Sequence, residues 1–542
     1  MIQRRTALSL SSLLLLAASA PAFTQTAQQQ PPPAPTLHVT SSLVFLDVTV
    51  LDKKGHPVVT GLTKDDFTIT EDKKPQRIFS FEQPDVHIIN RKSSDENPDG
   101  KAPVTILVLD LLNSRFEDFA YIRYSMRRFL LAQPQQLASP AEMLVVGNES
   151  LDMLQGYTRS RASLLYALDH LPPALPYKHM NGAFFWERFS QSIDALQQIA
   201  LQNKGIPGRK NIIWGGHGGP SLELDTTAFS PKAAEEVREY THLTTNLLVD
   251  ARISLFVIYP GLPVTQRSPF VQAGFPLSAM EAQMVIGDND PFSGDISFGL
   301  LSNETGGKLF YNRNDVDAEI QRSAQLGANY YTLTYQPENV DPNGKFRRVR
   351  VALRDSSLRV ITKAGYYAPN EKAVINVRQQ QMIKLSEAVQ AAIPFNSLSV
   401  NLTSVVRHPD SRTAEFTVML HSRNLDFLPT EDRKESVPLI VAAASLNNDR
   451  YILASRVART TLQAPSQDLA ILPTVATRLK LVVPYPKRTR TIRVVVEDQN
   501  GGRIGTAELD RKSIDAAPEA PAPAPKIVPR PSAPAATQPA GG

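Results

Sequence analysis

The chain has 542 residues, a net charge of +5, 42 prolines and no cysteine. This length leaves room for several hydrophobic cores, and the lack of cysteine excludes disulfides and thiol catalysis. A net charge this small on so long a chain argues against a protein specialised for nucleic acid.

The amino-terminal residues predict export. Arg4 and Arg5 precede the apolar run 7–20, which ends in small residues, and this order is typical of a secretory signal. We assign residues 1–24 to a signal peptide and expect a periplasmic or extracellular protein. Because the run is too short for a confident membrane span, we expect no integral span after cleavage. Residues 25–36, rich in Gln and Pro, are predicted to be a disordered leader.

Alternating strands are predicted next, in residues 37–85. They are too few to form a stable domain alone. We therefore predict that they pair with strands in residues 338–369. The region between these two segments would then be inserted in, or flanked by, a small β-sandwich.

Strand and helix signals alternate through residues 102–337. The segment begins with the continuous apolar run 104–109, which predicts a strand buried on both faces, and Asp110 follows it directly. The other predicted strands are 142–146, 153–157, 211–214, 253–259, 309–311 and 330–335, and the predicted helices are 116–130, 163–171, 185–200, 237–251 and 316–324. This order predicts a doubly wound, Rossmann-like α/β domain. Ligands of such sheets bind beyond the carboxyl ends of the strands, where Asp110 and Ser114 would lie.

Residues 370–515 contain a predicted short helix at 382–392 and then several β-rich runs without helices between them. This spacing predicts a carboxy-terminal antiparallel β-sandwich. The fold class is thus multidomain, α/β plus all-β. A basic cluster at Lys487, Arg488, Arg490 and Arg493 is interpreted as protection of a sheet edge. The Pro/Ala-rich tail 516–542 is predicted to be disordered and extended.

Several stretches resemble a known family. The sequence ILVLDLLNS (106–114) resembles the first strand and metal-site loop of a von Willebrand factor A domain, whose pattern is D-x-S-x-S. Residues 44–82 and 304–337, with GKFRRVRVAL and KAGYYAP after them, are similar to the bacterial VWFA-related domain family first described in acidobacteria. The resemblance covers roughly residues 37 to 369. It implies a von Willebrand factor A-like domain that binds a partner rather than performing catalysis.

The resemblance also implies a divalent cation, held by oxygens from the first loop and from two later loops. Asp110 and Ser114 match the first and last positions of D-x-S-x-S, Asn113 could add a carbonyl oxygen, and Leu112 stands in the middle position. We therefore predict a degenerate metal-ion-dependent adhesion site whose remaining ligands are Asp110, Asn113 and Ser114. No cofactor is expected, and magnesium or another divalent cation stays an alternative. The favoured interpretation is that Asp110 caps a helix or ties its loop to backbone N–H groups.

Two further oxygen ligands of the family pattern are missing. The sequence after the fourth strand is Trp-Gly-Gly-His-Gly-Gly (214–219), with no aspartate, and residues 177–182 contain no threonine. We predict that Gly215, Gly216, His217 and Gly218 form a ligand-facing loop. Bare N–H groups there could bind phosphate, but the pattern fits no phosphate-loop motif, and a tight turn is the favoured interpretation. The acidic run 287–295 could bind calcium, although an exposed loop is favoured.

Catalytic motifs are absent from the sequence. There is no H-E-x-x-H, no G-x-S-x-G and no close pair of histidines. The favoured function is that of an exported, non-enzymatic binding or scaffold protein whose partner is a protein or another cell-envelope ligand, not nucleic acid. The alternative is a secreted hydrolase with an unrecognised site near Asp110. The partner's identity and the oligomeric state are left open.

Overall fold

A computed structural model describes most of the chain. The described residues are 43–87, 103–148, 150–171, 185–219, 222–223, 230–260, 292, 295–370, 377–430, 432, 434–468 and 476–520. The predicted signal peptide and leader, the loop 177–182, most of the acidic run 287–295 and the tail beyond residue 520 lie outside them. No helix in the described part of the chain is long and apolar enough to span a membrane.

The helices and strands follow one another in three groups. The first group is β1 (Val44–Leu51), β2 (Phe67–Glu71), β3 (Lys74–Gln76) and β4 (Ile78–Glu82). The second is β5 (Val104–Asp110), α1 (Phe116–Ala132), β6 (Gln136–Val146), β7 (Leu151–Ser160), α2 (Arg161–Asp169), α3 (Phe185–Asn203), β8 (Lys210–Gly215), β9 (Leu222–Glu223), α4 (Pro231–Asp250), β10 (Ile253–Pro260), β11 (Asp295–Ile296), α5 (Phe298–Glu304), β12 (Lys308–Arg313) and α6 (Val316–Ala328). The third is β13 (Tyr331–Tyr335), β14 (Phe346–Leu353), β15 (Arg359–Ile361), β16 (Gly365–Tyr367), α7 (Val377–Gln390), β17 (Val400–His408), β18 (Thr413–His421), β19 (Leu428–Pro429), β20 (Lys434–Leu446), β21 (Ile452–Pro465), β22 (Ala476–Pro484), β23 (Thr491–Asp498), β24 (Ile504–Asp510) and α8 (Arg511–Asp515).

A six-stranded sheet forms the centre of the α/β region, in the order β12-β10-β8-β5-β6-β7. Its strands are parallel except β7, which runs antiparallel to β6. Residues 106–109 of the central strand are fully buried and alternate between two cores. Ile106 and Val108 face the core that includes α3 and α4, whereas Leu107 and Leu109 face the core that includes α1 and α6. Burial on both faces explains why this strand is continuously apolar.

The first β-sandwich is built from segments on both sides of the α/β region. Its two sheets have the orders β15-β1-β13-β4 and β16-β14-β2-β3. Strand β1 pairs antiparallel with β13, with Val44 opposite Tyr335, and with β15, with Thr49 opposite Ile361. Strand β2 pairs with β14. The α/β region therefore lies between β4 and β13 as an insertion in this sandwich.

Two of the differences from the predicted boundaries have a clear physical reason. Strand β13, which is predicted to belong to the α/β domain 102–337, lies in the sandwich between β1 and β4. It follows a helix as a strand of an α/β unit would, so sequence order alone cannot distinguish the two positions. Strand β6 begins at Gln136 rather than at residue 142, and its early part, which contains Pro140, is irregularly paired. A proline cannot donate to the ladder, which fits that irregularity.

The carboxy-terminal region forms a second antiparallel sandwich. One sheet is β17-β18-β22, and the other has β20 at its centre, paired with β21 on one side and with β19 and β23 on the other. The expectation that the basic cluster guards a sheet edge is wrong for Arg493. That residue is buried on β23, between β20 and β24, where its guanidinium contacts Glu508 at 2.8 Å. An ion pair with its neighbouring strand explains how an arginine is accommodated there.

The amino ends of the six-stranded sheet are joined to the first sandwich. Arg209, directly before β8, donates hydrogen bonds to Thr49 of β1 (2.8 Å), Ser254 (3.0 Å) and the carbonyl of Gly306 (3.2 Å). The second sandwich approaches the same side, since Arg503 donates to the carbonyl of Gly205 at 3.0 Å. The carboxyl ends of the parallel strands lie at the opposite edge of the sheet.

Candidate functional site

The Asp110 carboxylate lies at the carboxyl end of β5 and is completely buried. Its Oδ1 accepts a hydrogen bond from the backbone N–H of Asn113 at 2.9 Å. Its Oδ2 accepts one from the indole Nε1–H of Trp214 at 3.0 Å and one from the N–H of Gly218 at 2.9 Å. Three N–H donors within 3.0 Å therefore converge on one carboxylate, and Asn113 Nδ2 is a longer fourth donor, at 3.4 and 3.5 Å from the two oxygens.

The neighbouring strand β8 positions two of those donors. Trp214 lies opposite Val108 in the ladder, and its ring packs edge-on against Phe298 with 5.1 Å between centroids. The chain then turns through Gly215–Gly219 and crosses over Asp110. A Cβ on Gly216 would lie 2.3 Å from the Cβ of Asp110, so only glycine permits this close approach.

Asn113 and Ser114, which the sequence predicts as ligands of a degenerate cation site, lie beside the carboxylate, and the side-chain oxygen of each is buried. Asn113 Nδ2 donates to Ser192 Oγ at 3.0 Å, and Ser192 donates in turn to the carbonyl of Arg188 at 2.8 Å. Asn113 Oδ1 and Ser114 Oγ are buried and have no hydrogen-bond partner among the described residues. Ser192 is not among the predicted site residues, although a serine next to Ile193 on the apolar stripe of α3 is a signal for a buried polar contact.

Burial raises the pKa of Asp110 to about 6, because a desolvated carboxylate is disfavoured. The hydrogen bonds from Trp214, Asn113 and Gly218 lower the pKa and offset part of this effect. Without those donors the carboxyl group would be protonated over a wider pH range. The donors thus stabilise the charged form of a carboxyl group that is not exposed to solvent.

These residues do not fit a divalent cation. Magnesium requires near-octahedral oxygen coordination, whereas the Asp110 oxygens already accept from N–H groups whose positive ends repel a cation. The oxygens beside the carboxylate that have no hydrogen-bond partner among the described residues are those of the Asn113 and Ser114 side chains, and both are uncharged. Among the residues that the structure describes, no group of three or more His, Cys, Asp or Glu side chains could hold a metal ion.

Exposed and half-buried aromatic rings lie at the same edge of the sheet. His217, in the loop predicted to face a ligand, is exposed and stands edge-on to Tyr259 of β10, with 5.0 Å between centroids. Tyr259 stacks with Tyr311 of β12 at 6.2 Å. Phe116, at the start of α1, is 65% exposed. Tyr259 and Tyr311 lie on β10 and β12, whereas Phe116 and His217 follow β5 and β8. Each of these four adjacent strands thus places one ring at this edge, and we call the four residues the aromatic row (Phe116, His217, Tyr259 and Tyr311).

Comparison with known protein families finds no match, and comparison with curated proteins finds none either. Among solved structures, the chain is similar to one titled "Crystal Structure of the SpRpn10 VWA domain", with 13% identity and a TM-score of 0.21. That alignment covers 44% of this chain and 98% of the other. A likeness of this size carries no assignment of family or function.

Proposed function

We propose that this chain is an exported, non-enzymatic binding or scaffold protein of the von Willebrand factor A-like type, which contacts a protein of the cell envelope through the aromatic row. The observation that carries the proposal is the asymmetry of the six-stranded sheet. Its amino ends are held by side chains such as Arg209, whereas its carboxyl ends present exposed rings at Phe116 and His217. Exposed aromatic side chains at one edge of a rigid scaffold are typical of protein interfaces.

The surroundings of Asp110 support binding rather than hydrolysis. A general acid or base must reach the substrate, but Asp110 is buried beneath glycines and its oxygens accept from Asn113, Trp214 and Gly218. No second carboxylate or imidazole hydrogen-bonds to Asp110 within the described residues. Nothing in this geometry favours the hydrolase alternative.

Site-specific photocrosslinking tests the proposal. A photoreactive amino acid is placed at Phe116 or at His217 of the full chain, in cells that produce it. Matched controls carry the same group at Tyr166 on α2 and at Val340, which are 66% and 73% exposed and lie outside the aromatic row. We expect a crosslinked protein of one size from positions 116 and 217 and none from the controls. Equal crosslinking at all four positions, or none at any, would contradict the proposal.

A further inference from the structure

The loop Gly215–Gly219 closes over Asp110 in a way that the family resemblance does not anticipate. That resemblance implies a cation beside this carboxylate, but the groups that approach it are the N–H donors of Trp214 and Gly218, at 3.0 and 2.9 Å. Hydrogen bonds from N–H to a charged acceptor are about twice as strong as neutral ones. The carboxylate is therefore stabilised without an ion.

We infer that Asp110, Trp214 and Gly218 form a hydrogen-bonded latch that replaces the cation and fixes the ligand-facing loop. The indole donor and the loop donor reach the same oxygen, Oδ2, so this one atom ties β5 to both β8 and the loop after it. On the far side of the loop, Phe298 packs against Trp214 and would lie 2.5 Å from a Cβ on Gly218. The loop is thus held between a carboxylate and an aromatic ring.

The latch has a consequence for the surface. His217 lies between Gly216, which packs on Asp110, and Gly218, whose N–H donates to the Asp110 carboxylate. Fixing the two glycines fixes the backbone of His217 and so directs its ring toward Tyr259. Asp110 and Trp214 are in this sense positioning residues for the aromatic row. This inference rests on the proposed function for its biological meaning, and it adds that partner binding is independent of divalent cations.

Hydrogen–deuterium exchange on the full chain tests the latch. Uptake by peptides that cover Gly215–Gly219 is measured in chelator and in an excess of magnesium, manganese or calcium. The variants are Asp110→Asn, which keeps the shape of the side chain, and Trp214→Phe, which removes the indole donor. The matched control is Ser114→Ala, because Ser114 Oγ has no hydrogen-bond partner in the described structure yet would be a ligand of any cation at this site.

We expect the wild-type loop to exchange at the same rate in chelator and in each metal. Exchange should be at least about tenfold faster in both variants, because Trp214→Phe removes one charge-assisted hydrogen bond and Asp110→Asn removes the acceptor's charge from all of them. It should be unchanged in Ser114→Ala. Peptides from α2 serve as the internal reference for global unfolding in every sample.

Two results would overturn the inference. One is protection of the loop by a metal in the wild type that Ser114→Ala weakens, which would indicate a cation site. The other is unchanged loop exchange in both Asp110→Asn and Trp214→Phe. If those variants do not fold, the comparison of wild type with Ser114→Ala in metal and chelator still decides the question. Failure here leaves the crosslinking result untouched, whereas loss of crosslinking would contradict the proposed function with the latch intact.

Discussion

Both ends of the six-stranded sheet contain buried or largely buried charged side chains, but the groups that hydrogen-bond to them come from different parts of the chain. At the amino ends, the largely buried Arg252 and the buried Arg209 donate to residues of another domain: Arg252 Nε donates to Asp47 of β1 at 3.0 Å, and Arg209 donates to Thr49 of β1. At the carboxyl ends, Asp110 is met by donors from its own loop and the adjacent strand. The hydrogen bonds at the amino ends join the α/β region to the first sandwich. Those at the carboxyl ends fix the conformation of a loop and leave the surface around it exposed.

This difference indicates where change should be tolerated. Contacts between residues that are far apart in sequence, such as Asp47 and Arg252, stabilise the joint between domains. Contacts confined to loops at the strand ends stabilise a local conformation. We therefore expect substitutions at the joint to lower the stability of the whole chain and substitutions on the aromatic row to leave it almost unchanged.

The largest effect is expected for Asp47→Ala, because it leaves the Arg252 guanidinium largely buried without its ion-pair partner. The free energy of unfolding should fall by about 3 kcal/mol, measured by urea denaturation. The matched control is Asp169→Asn, which removes an exposed ion pair with Arg127 and should cost less than about 0.5 kcal/mol. Equal losses in the two variants would show that the joint contributes nothing special.

The second prediction concerns Glu142, a buried carboxyl group that, like Asp110, accepts a hydrogen bond from an N–H donor. Glu142 is also fully buried, on β6, and burial raises its pKa to about 8, with Gln202 Nε2 donating to it at 3.1 Å. Because the pKa is higher in the folded state than in the unfolded state, folding favours the protonated form. Stability from this group is complete below about pH 4.5, the usual range of glutamate, and is lost as the pH rises toward 8.

Glu142→Gln should remove that pH dependence. At pH 7 the variant should be more stable than the wild type by about 3 kcal/mol, and near pH 4 the difference should vanish. Thermal unfolding across this pH range measures it. Glu117→Gln, at an exposed position on α1, is the control for loss of a charge alone. A stability difference that does not vary with pH would mean that folding does not raise the pKa of Glu142.

The third prediction concerns the close approach of the loop to Asp110. Gly216→Ala should lower the free energy of unfolding by about 2 kcal/mol, because the new Cβ overlaps the Asp110 side chain. Gly147→Ala should change it by less than about 0.5 kcal/mol, since its Cβ would lie 3.6 Å from the nearest atom, the carbonyl oxygen of Ser150. Chemical denaturation of both variants measures the contrast, and a tolerated Gly216→Ala would show that the loop is not packed on the carboxylate.

The smallest effects are expected on the aromatic row itself. Phe116→Ala and His217→Ala remove exposed rings and should each change the free energy of unfolding by less than about 0.5 kcal/mol. A loss above 2 kcal/mol in either variant would place that ring in the core of the fold and remove the main contrast between the two ends of the sheet. Thermal unfolding at a single pH is sufficient to measure it.

Much of the α/β region is predictable from sequence because its signals are local. A strand buried on both faces must be continuously apolar, so residues 104–109 stand out, and the polar residue that ends the run is Asp110. Asn113 and Ser114 follow within the same loop. Their nearness to Asp110 requires no knowledge of the rest of the fold.

The partners of Asp110 are less predictable because they come from a second strand. The sequence places Trp214 at the end of a predicted strand but does not give its partner, although a buried indole N–H needs an acceptor and the end of the adjacent strand supplies one. Likewise, the sequence around Arg493 predicts a solvated charge, because the ion-pair partner of Arg493, Glu508, lies on the next strand. The neighbours of a strand depend on sheet order, which hydrophobic periodicity does not contain.

The pairing of β1 with β13 and β15 also affects how the chain must be made. Thr49 pairs with Ile361, so β1 has no partner strand until more than half of the polypeptide has been synthesised. During that interval β1 can pair with other chains along both of its edges. Fragments that stop within residues 103–330 should therefore aggregate instead of accumulating as a stable amino-terminal domain.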